Sequence, residues 1–158
     1  MTFRIERHAR GEDADVVGAG LGPEVVAWNA DPAFGISVDA MGDSRVVVFQ
    51  DDVSNVLRDN PGGFDAIMLD TDNGPGGMLM SENAALYDTH GTGITVAALR
   101  VGGTGVYWSG GNDPKVATAL RRAGPPADPA RRRAHATPGP PPTPYLASPP
   151  RPAANPAP

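Results

Sequence analysis

Prolines divide this chain into two parts. Thirteen of the 18 prolines lie at or after Pro125. Proline removes a backbone donor and clashes with the preceding turn of a helix, and in a central strand it interrupts the hydrogen-bond ladder. We therefore predict a Pro-rich, extended and largely disordered tail over 125–158. The folded domain is expected within 1–124, with its core in about 13–124.

Within 1–124, strand-like and helix-like segments alternate. The run RVVVF over 45–49 is rich in β-branched residues and predicts a strand. Val53, Val56 and Leu57 recur at helical spacing and predict a helix over 53–60. The remaining segments predict strands at 14–17, 64–69 and 104–109, helices at 24–29, 88–99 and 115–123, and a loop over 31–43. This alternation predicts an α/β fold with parallel strands and helices on both faces of the sheet.

Two of the predicted helices carry more detailed expectations. Pro23 precedes the helix over 24–29, and we expect Val25, Val26 and Trp28 on its buried side. The helix over 88–99 contains two glycines, Gly91 and Gly93. Each of them is expected to weaken that helix by roughly 1 kcal/mol relative to alanine.

The stretch FDAIMLDTDNGP over 64–75 is the strongest candidate for a functional site. Its continuous apolar run predicts a strand buried on both faces. Asp70 and Asp72 stand where that strand should end, and Asn73-Gly74-Pro75 predicts an immediate turn. Ligands of open α/β sheets bind outside the carboxyl ends of the strands. The two carboxylates are therefore placed to meet a ligand, or else one of them caps the following segment.

A second motif, ADVVGAGLG over 14–22, has glycines at 18, 20 and 22 after a short strand. Such loops let the backbone approach a phosphate or a nucleoside. The third glycine of the dinucleotide pattern would fall at Pro23, so the motif is weak evidence for NAD or FAD. The alternative is a glycine-rich turn without a ligand.

Composition excludes several function classes. The chain has no cysteine, which excludes disulfides, zinc thiolates and a thiol nucleophile. The formal net charge is −5 without a large basic run, so we expect no nucleic-acid partner. The three histidines show no metal-ligand spacing, and no metal is expected. No apolar run has the length of a signal peptide or a membrane span, so we expect no membrane partner and a cytoplasmic protein.

Six segments in continuous order carry a resemblance that spans roughly 13–124. They are PEVVAWN (23–29), RVVV leading to Asp52 (45–52), FDAIMLDTDNGP (64–75), NAALY (83–87), ALRVGG (98–103) and YWS (107–109). Together they resemble the spermidine synthase family of polyamine aminopropyltransferases, in particular its shorter bacterial spermidine synthase-like members. RAHATPG at 133–139 is similar to the family's last strands. The resemblance implies a doubly wound, class I methyltransferase-like (Rossmann-like) sheet. It also implies aminopropyl transfer from decarboxylated S-adenosylmethionine, a co-substrate rather than a permanently bound cofactor, to a diamine such as putrescine.

The resemblance also implies roles for individual residues. Asp70 is similar in place to the catalytic aspartate, which holds the attacking amine and accepts its proton. Asp72 would bind the cationic substrate, and Tyr87 lies near the polyamine pocket. Asp52, together with its neighbour Asp51, matches the acidic position that meets the adenine amino group. The expected partners are therefore a small nucleoside and a diamine, and we also consider a homodimer.

The chain departs from the family pattern at its amino-terminal end. The first central strand, its glycine loop and the amino-terminal β-hairpin domain have no counterpart, and 2–10 matches what remains of the first helix. The acidic residue that would bind the ribose falls at Gly20. We therefore expect an incomplete sheet and a truncated or degenerate copy in which aminopropyl transfer is impaired or lost. Three alternatives stay open: Gly18–Gly22 as the nucleoside loop with Asp39 on the ribose, an S-adenosylmethionine-dependent methyltransferase-like protein, and a non-catalytic remnant.

Overall fold

The computed structural model describes residues 4–7, 14–20, 22–34, 38–70, 83–108, 113–124 and 144–149. The strands are β1 Arg4–Arg7, β2 Asp15–Ala19, β3 Val46–Phe49, β4 Phe64–Leu69, β5 Leu99–Tyr107 and β6 Tyr145–Ala147. The helices are α1 Pro23–Ala30, α2 Val38–Met41, α3 Val53–Asp59, α4 Ala84–Tyr87, α5 Thr89–Ala98 and α6 Pro114–Ala123. These elements form an α/β fold around one six-stranded sheet of order β3-β2-β1-β4-β5-β6.

The sheet is mixed, so the prediction of a parallel sheet is wrong for two strands. β2 pairs in parallel with β3, and β4 pairs in parallel with β5. β1 is antiparallel to both β2 and β4, and β6 is antiparallel to β5. Four strands, β2 to β5, therefore share one direction. Because only residues 8–14 link β1 to β2, the link is too short for a parallel crossover, which needs a dozen residues or more.

The position between β2 and β4 is filled by β1. The resemblance implied that 2–10 is the remainder of a helix, and this is wrong for Arg4–Arg7, which forms a strand. Ile5 stands opposite Val17 on one side and Ile67 on the other. The backbone groups of both neighbouring strands are thereby paired, which relieves the cost that unpaired buried groups would carry.

Local patterns predicted α3, α6 and the strand pairing of β4 and β5 well. Val53, Val56 and Leu57 are the buried residues of α3, as predicted. α3 packs on α5, and α5 packs on α6, so these three helices form one layer. The pairing of β5 with β4 is irregular over the first residues of β5 and becomes regular at Thr104. Gly102 lies there with φ of +83°, a backbone conformation that glycine adopts readily.

The helix α1 lies at the periphery, contrary to the prediction. It has no fully buried residue, and Trp28 is 53% exposed. Val25 and Val26 are half-buried. The main neighbour of α1 among the described elements is α2, a short helix within the segment predicted as a loop. The placement of Trp28 in the core was wrong because no described layer covers that side of the helix.

Part of the Pro-rich segment belongs to the sheet. Tyr145–Ala147 forms β6 beside β5, and the side chain of Tyr145 is fully buried. The Tyr145 hydroxyl accepts a hydrogen bond from the Asp113 N–H and donates one to the Asp113 carbonyl. The prediction of a largely disordered tail is therefore wrong at 144–149. The rest of 125–158, including 133–139, lies outside the described residues.

A buried carboxylate joins β4 to the start of β5. Asp65 has a side chain that is 6% exposed and forms an ion pair with Arg100, whose side chain is 54% exposed. A buried charge is costly unless it is paired. This pair therefore holds the amino ends of β4 and β5 together, opposite the edge where these strands end.

Replacing Arg100 by methionine is expected to lower the free energy of unfolding by about 1–3 kcal/mol, because the buried Asp65 carboxyl group loses its ion-pair partner. Urea unfolding followed by circular dichroism measures this loss. The exposed Arg121 on α6 provides a control, and its change to methionine should stay within about 0.5 kcal/mol. Equal effects of the two changes would contradict a stabilising role for the ion pair.

Candidate functional site

The four strands that share one direction end at the same side of the sheet, which we name the carboxyl edge. The first residues beyond them are Gly20, Gln50, Asp70 and Trp108. Backbone hydrogen bonds join neighbouring strand ends, from Gly20 N–H to the Phe49 carbonyl (3.1 Å, N to O) and from Trp108 N–H to the Leu69 carbonyl (2.9 Å). These bonds extend the pairing of β2 with β3 and of β4 with β5 to the carboxyl edge, and β1 lies between the two pairs.

Asp70 lies at the carboxyl edge, where the sequence predicted it. It directly follows β4, in which Ile67 and Leu69 are 0% and 1% exposed. Its own side chain is exposed. The other face of β4 is less covered than predicted, since Ala66 is half-buried and Met68 is 36% exposed. A rigid buried strand thus carries an accessible carboxylate at its carboxyl end.

The second predicted carboxylate of this stretch, Asp72, lies in 71–82, outside the described residues, and the predicted turn at 73–75 lies there too. Of the two predicted carboxylates, Asp70 is therefore the one that lies within the described residues.

Asp51 and Asp52 follow β3 at the carboxyl edge, and both are exposed. Asp52 is the N-cap of α3, where its carboxylate accepts a hydrogen bond from Ser54 N–H at 2.7 Å. Asp51 accepts from the Asp52 N–H at 2.6 Å and from the Asn55 side-chain amide at 3.0 Å. These bonds hold the two carboxylates at the edge. Each carboxylate can accept about four hydrogen bonds, so the capping role leaves acceptor capacity for a ligand.

Tyr87 is a buried residue that contacts the backbone of the carboxyl edge. It is 3% exposed, and its hydroxyl donates to the Trp108 carbonyl at 3.2 Å. Its ring contacts Tyr107 edge-on, with centroids 5.6 Å apart. Tyr107 is itself fully buried, and this burial raises the pKa of its hydroxyl. Tyr87 therefore contributes to packing and to the position of Trp108, whatever further role it has.

Tyr87 also borders an open groove of about 590 Å³ between the α4–α5 junction and α6. Asp88 lies on one wall, and Lys115 and Arg122 lie on the α6 side. Asp88 is engaged as the N-cap of α5, where it accepts from the N–H groups of His90 and Gly91. Two cations facing the groove oppose the binding of a cationic diamine, so the groove gives little support to Tyr87 as a diamine contact.

The glycine motif leads from β2 into α1, and Gly22 is the N-cap of that helix. A Cβ on Gly22 would lie 3.3 Å from a methyl of Val25, so the approach there is close. Asp39, the alternative ribose ligand, is exposed on α2, which packs on α1. The motif therefore sits beside the Asp51 end of the carboxyl edge, two strands away from Asp70.

Within the described ranges, no group of histidine, aspartate and glutamate residues could hold a metal ion. None of the helices in those ranges has the length and apolar character that crossing a membrane requires. Sequence reasoning missed the Asp65–Arg100 ion pair and the contact of Tyr145 with Asp113. Neither has a local sequence signal, since the partners lie 35 and 32 residues apart.

Comparison with known proteins adds no assignment. A scan against protein-family models and a search of curated proteins both found no match to this chain. A function for this chain is therefore inferred from the residues of the carboxyl edge.

Proposed function

We propose that this chain is a spermidine synthase-like protein that keeps an acidic, amine-binding part of the site and has impaired or lost aminopropyl transfer. The observation that carries the proposal is the exposed Asp70 at the end of β4, beside the central strand β1. An ammonium group is not a nucleophile, and a carboxylate at this position can bind the diamine and accept its proton.

The strand order supports an incomplete doubly wound sheet of the Rossmann-like kind. Setting β1 aside, β3-β2 and β4-β5 follow the order on either side of the central strand in such sheets. The crevice between these halves is the usual place for a ligand. Asp70 would stand on one side of it, and Asp51 and Asp52 would stand on the other side, at the end of β3, three strand positions from β4.

The direction of β1 supports the loss of transfer. In a doubly wound sheet, the central strand ends at the carboxyl edge and continues into a glycine loop and a helix, which hold phosphate or nucleoside groups. Here β1 runs the opposite way, so its first residue, Arg4, stands opposite Met68 near that edge. A strand that begins at the edge cannot be followed there by its own loop and helix. The nucleoside would therefore lack its main backbone contacts.

Titration with putrescine tests the amine-binding part of the proposal. We expect Asp70→Asn to weaken putrescine binding about tenfold or more, because a hydrogen bond to a charged group contributes roughly 1.5–3 kcal/mol. Asp59→Asn, at the exposed end of α3 away from the carboxyl edge, is the control and should leave the affinity unchanged. Binding that is indifferent to Asp70 would contradict the proposal.

Product analysis tests the transfer itself. With putrescine and decarboxylated S-adenosylmethionine, we expect no spermidine, or a trace that Asp70→Asn abolishes. A turnover of about 1 s⁻¹ or more, within the range of ordinary enzymes, would contradict an impaired site. Methylated product formed from S-adenosylmethionine would favour the methyltransferase-like alternative.

A further inference from the structure

The strand β3 is the outermost strand of the sheet at one side, and its side chains are unusually apolar for that position. Val47, Val48 and Phe49 are 49%, 37% and 46% exposed. An edge strand presents unpaired backbone groups to any strand that approaches, and natural edges are usually protected by charges, prolines or a covering element. The described residues place none of these along Val46–Phe49. We name this side the free side of β3.

The backbone of β3 determines how a further strand can pair with it. The carbonyls of Arg45 and Phe49 accept hydrogen bonds from the N–H groups of Val16 and Gly20, on the β2 side. Successive residues of a strand alternate in direction. The backbone groups of Val48 and Gln50 and the carbonyl of Val46 therefore face the free side, while the Val46 N–H donates to the Asp43 carbonyl at 3.0 Å. In an antiparallel pair of two identical strands, the twofold axis can pass through any residue of β3, because opposite residues form either a hydrogen-bonded or a non-hydrogen-bonded pair.

An axis at Val48 gives the best match of side chains. Val48 then stands opposite Val48 of a second copy, and Val47 stands opposite Phe49. The same register places Arg45 opposite Asp51 at both ends of the pair. Aromatic pairs with β-branched residues and pairs of opposite charge stabilise neighbouring strands. An axis at Val46 would instead place Asp43 opposite Phe49, and an axis at Val47 would place Asp43 opposite Asp51. Both registers lose the aromatic pair and the pair of opposite charges.

The Arg45 side chain is already held in place for a contact with Asp51 of a second copy. Its guanidinium binds the Asp43 carboxylate through Nε and Nη2, and these bonds lower the pKa of Asp43 to about 2. Asp43 thus holds the arginine side chain at the start of β3. The Arg45 side chain is 46% exposed, so a carboxylate of a second copy can approach it while Asp43 holds it.

We propose that the free side of β3 binds β3 of a second copy of this chain in antiparallel register about Val48. The result is a closed twofold dimer with one continuous sheet. Arg45 of the second copy then reaches the carboxyl edge beside Asp51 and Asp52 and adds a positive charge there. The interface depends on β3 alone and would exist whether or not the chain binds an amine.

Sedimentation equilibrium on the full chain tests the proposal. We expect a mass of twice 16.3 kDa at about 0.1 mM chain. Val48→Lys should raise the dissociation constant at least tenfold, because it places two lysines opposite each other at the axis. Val101→Lys makes the same change at a residue that is 64% exposed on β5, and it should leave the dimer intact. Circular dichroism verifies that both variants are folded.

A charge exchange tests the register. Arg45→Glu alone creates two like-charge pairs with Asp51 and should weaken the dimer about tenfold. Combining it with Asp51→Arg should restore the dissociation constant to within about threefold of the original. Three results would overturn the proposal: a monomer at the concentration above, larger open-ended assemblies, or a dimer that neither Val48→Lys nor the charge exchange affects.

Discussion

Replacing Gly91 by alanine is expected to lower the free energy of unfolding by about 3 kcal/mol or more. A Cβ at this position would lie 2.6 Å from Leu86 Cα and 2.8 Å from the Leu86 carbonyl carbon, and closer still to the Ala85 carbonyl oxygen. These atoms belong to the backbone of α4, so no flexible side chain can move aside. α4 and α5 would have to separate, and the buried contacts of Leu86 would be lost with them.

Gly93 is a matched control two residues further along the same helix. Nothing lies within 4 Å of the Cβ that alanine would add there. Gly93→Ala is therefore expected to raise the free energy of unfolding by about 0.5–1 kcal/mol, through helix propensity alone. Urea unfolding of both variants gives the comparison. If the two changes had the same sign and size, the close packing of α4 on α5 would be contradicted.

The contrast between these glycines shows what local sequence can predict. From the sequence, both had the same expected cost in a weak helix. The difference arises because α4 packs against one of them and not the other, which depends on the angle between the two consecutive helices rather than on helix propensity. α6 is the opposite case: the helix predicted over 115–123 is found at Pro114–Ala123, and the residues beside it, Asp113 and Gly124, cap its two ends.

The failed predictions share one physical cause. The partner β4 of β1 and the partner β5 of β6 are distant in sequence, whereas α1 packs mainly on the next element, α2. Ile5 is placed by β2 and β4, and Tyr145 is placed by β5 and by Asp113. Trp28 is exposed because α1 has little to pack on, although its composition resembles that of a buried helix. Tertiary contacts, rather than local propensity, determined the structure and the burial of these segments.

The candidate site was predictable to the extent that it follows from strand ends. Asp70 directly follows a strand whose buried residues were recognised by pattern, so its place at the carboxyl edge was predicted. Asp51 and Asp52 were placed at that edge too, for the same reason. Their hydrogen bonds to Ser54 and Asn55 are local, and the capping alternative foreseen for Asp70 or Asp72 is found at Asp52 instead. What the sequence missed is β1, a strand that lies between β2 and β4 and runs antiparallel to both.

The second large effect is expected at Tyr145, the residue that joins the Pro-rich segment to the domain. Tyr145→Ala should lower the free energy of unfolding by about 3–5 kcal/mol, as for other fully buried aromatic residues. The change removes the ring beneath β6 and the two hydrogen bonds of the hydroxyl with the Asp113 backbone. Since small domains have only about 5–15 kcal/mol in total, the variant should be close to unfolding at ambient temperature.

Two further variants separate the parts of this effect. Tyr145→Phe keeps the ring and loses the hydroxyl, so it should cost only about 1–3 kcal/mol, the cost of leaving the Asp113 N–H unsatisfied. Leu146→Ala alters a half-buried neighbour on the opposite face of β6 and should cost less than the loss of the Tyr145 ring. Thermal and urea unfolding of the full chain measure all three. If Tyr145→Ala changed stability by less than about 1 kcal/mol, β6 would contribute nothing to the core, and the segment over 125–158 would be the detached tail that its prolines first suggested.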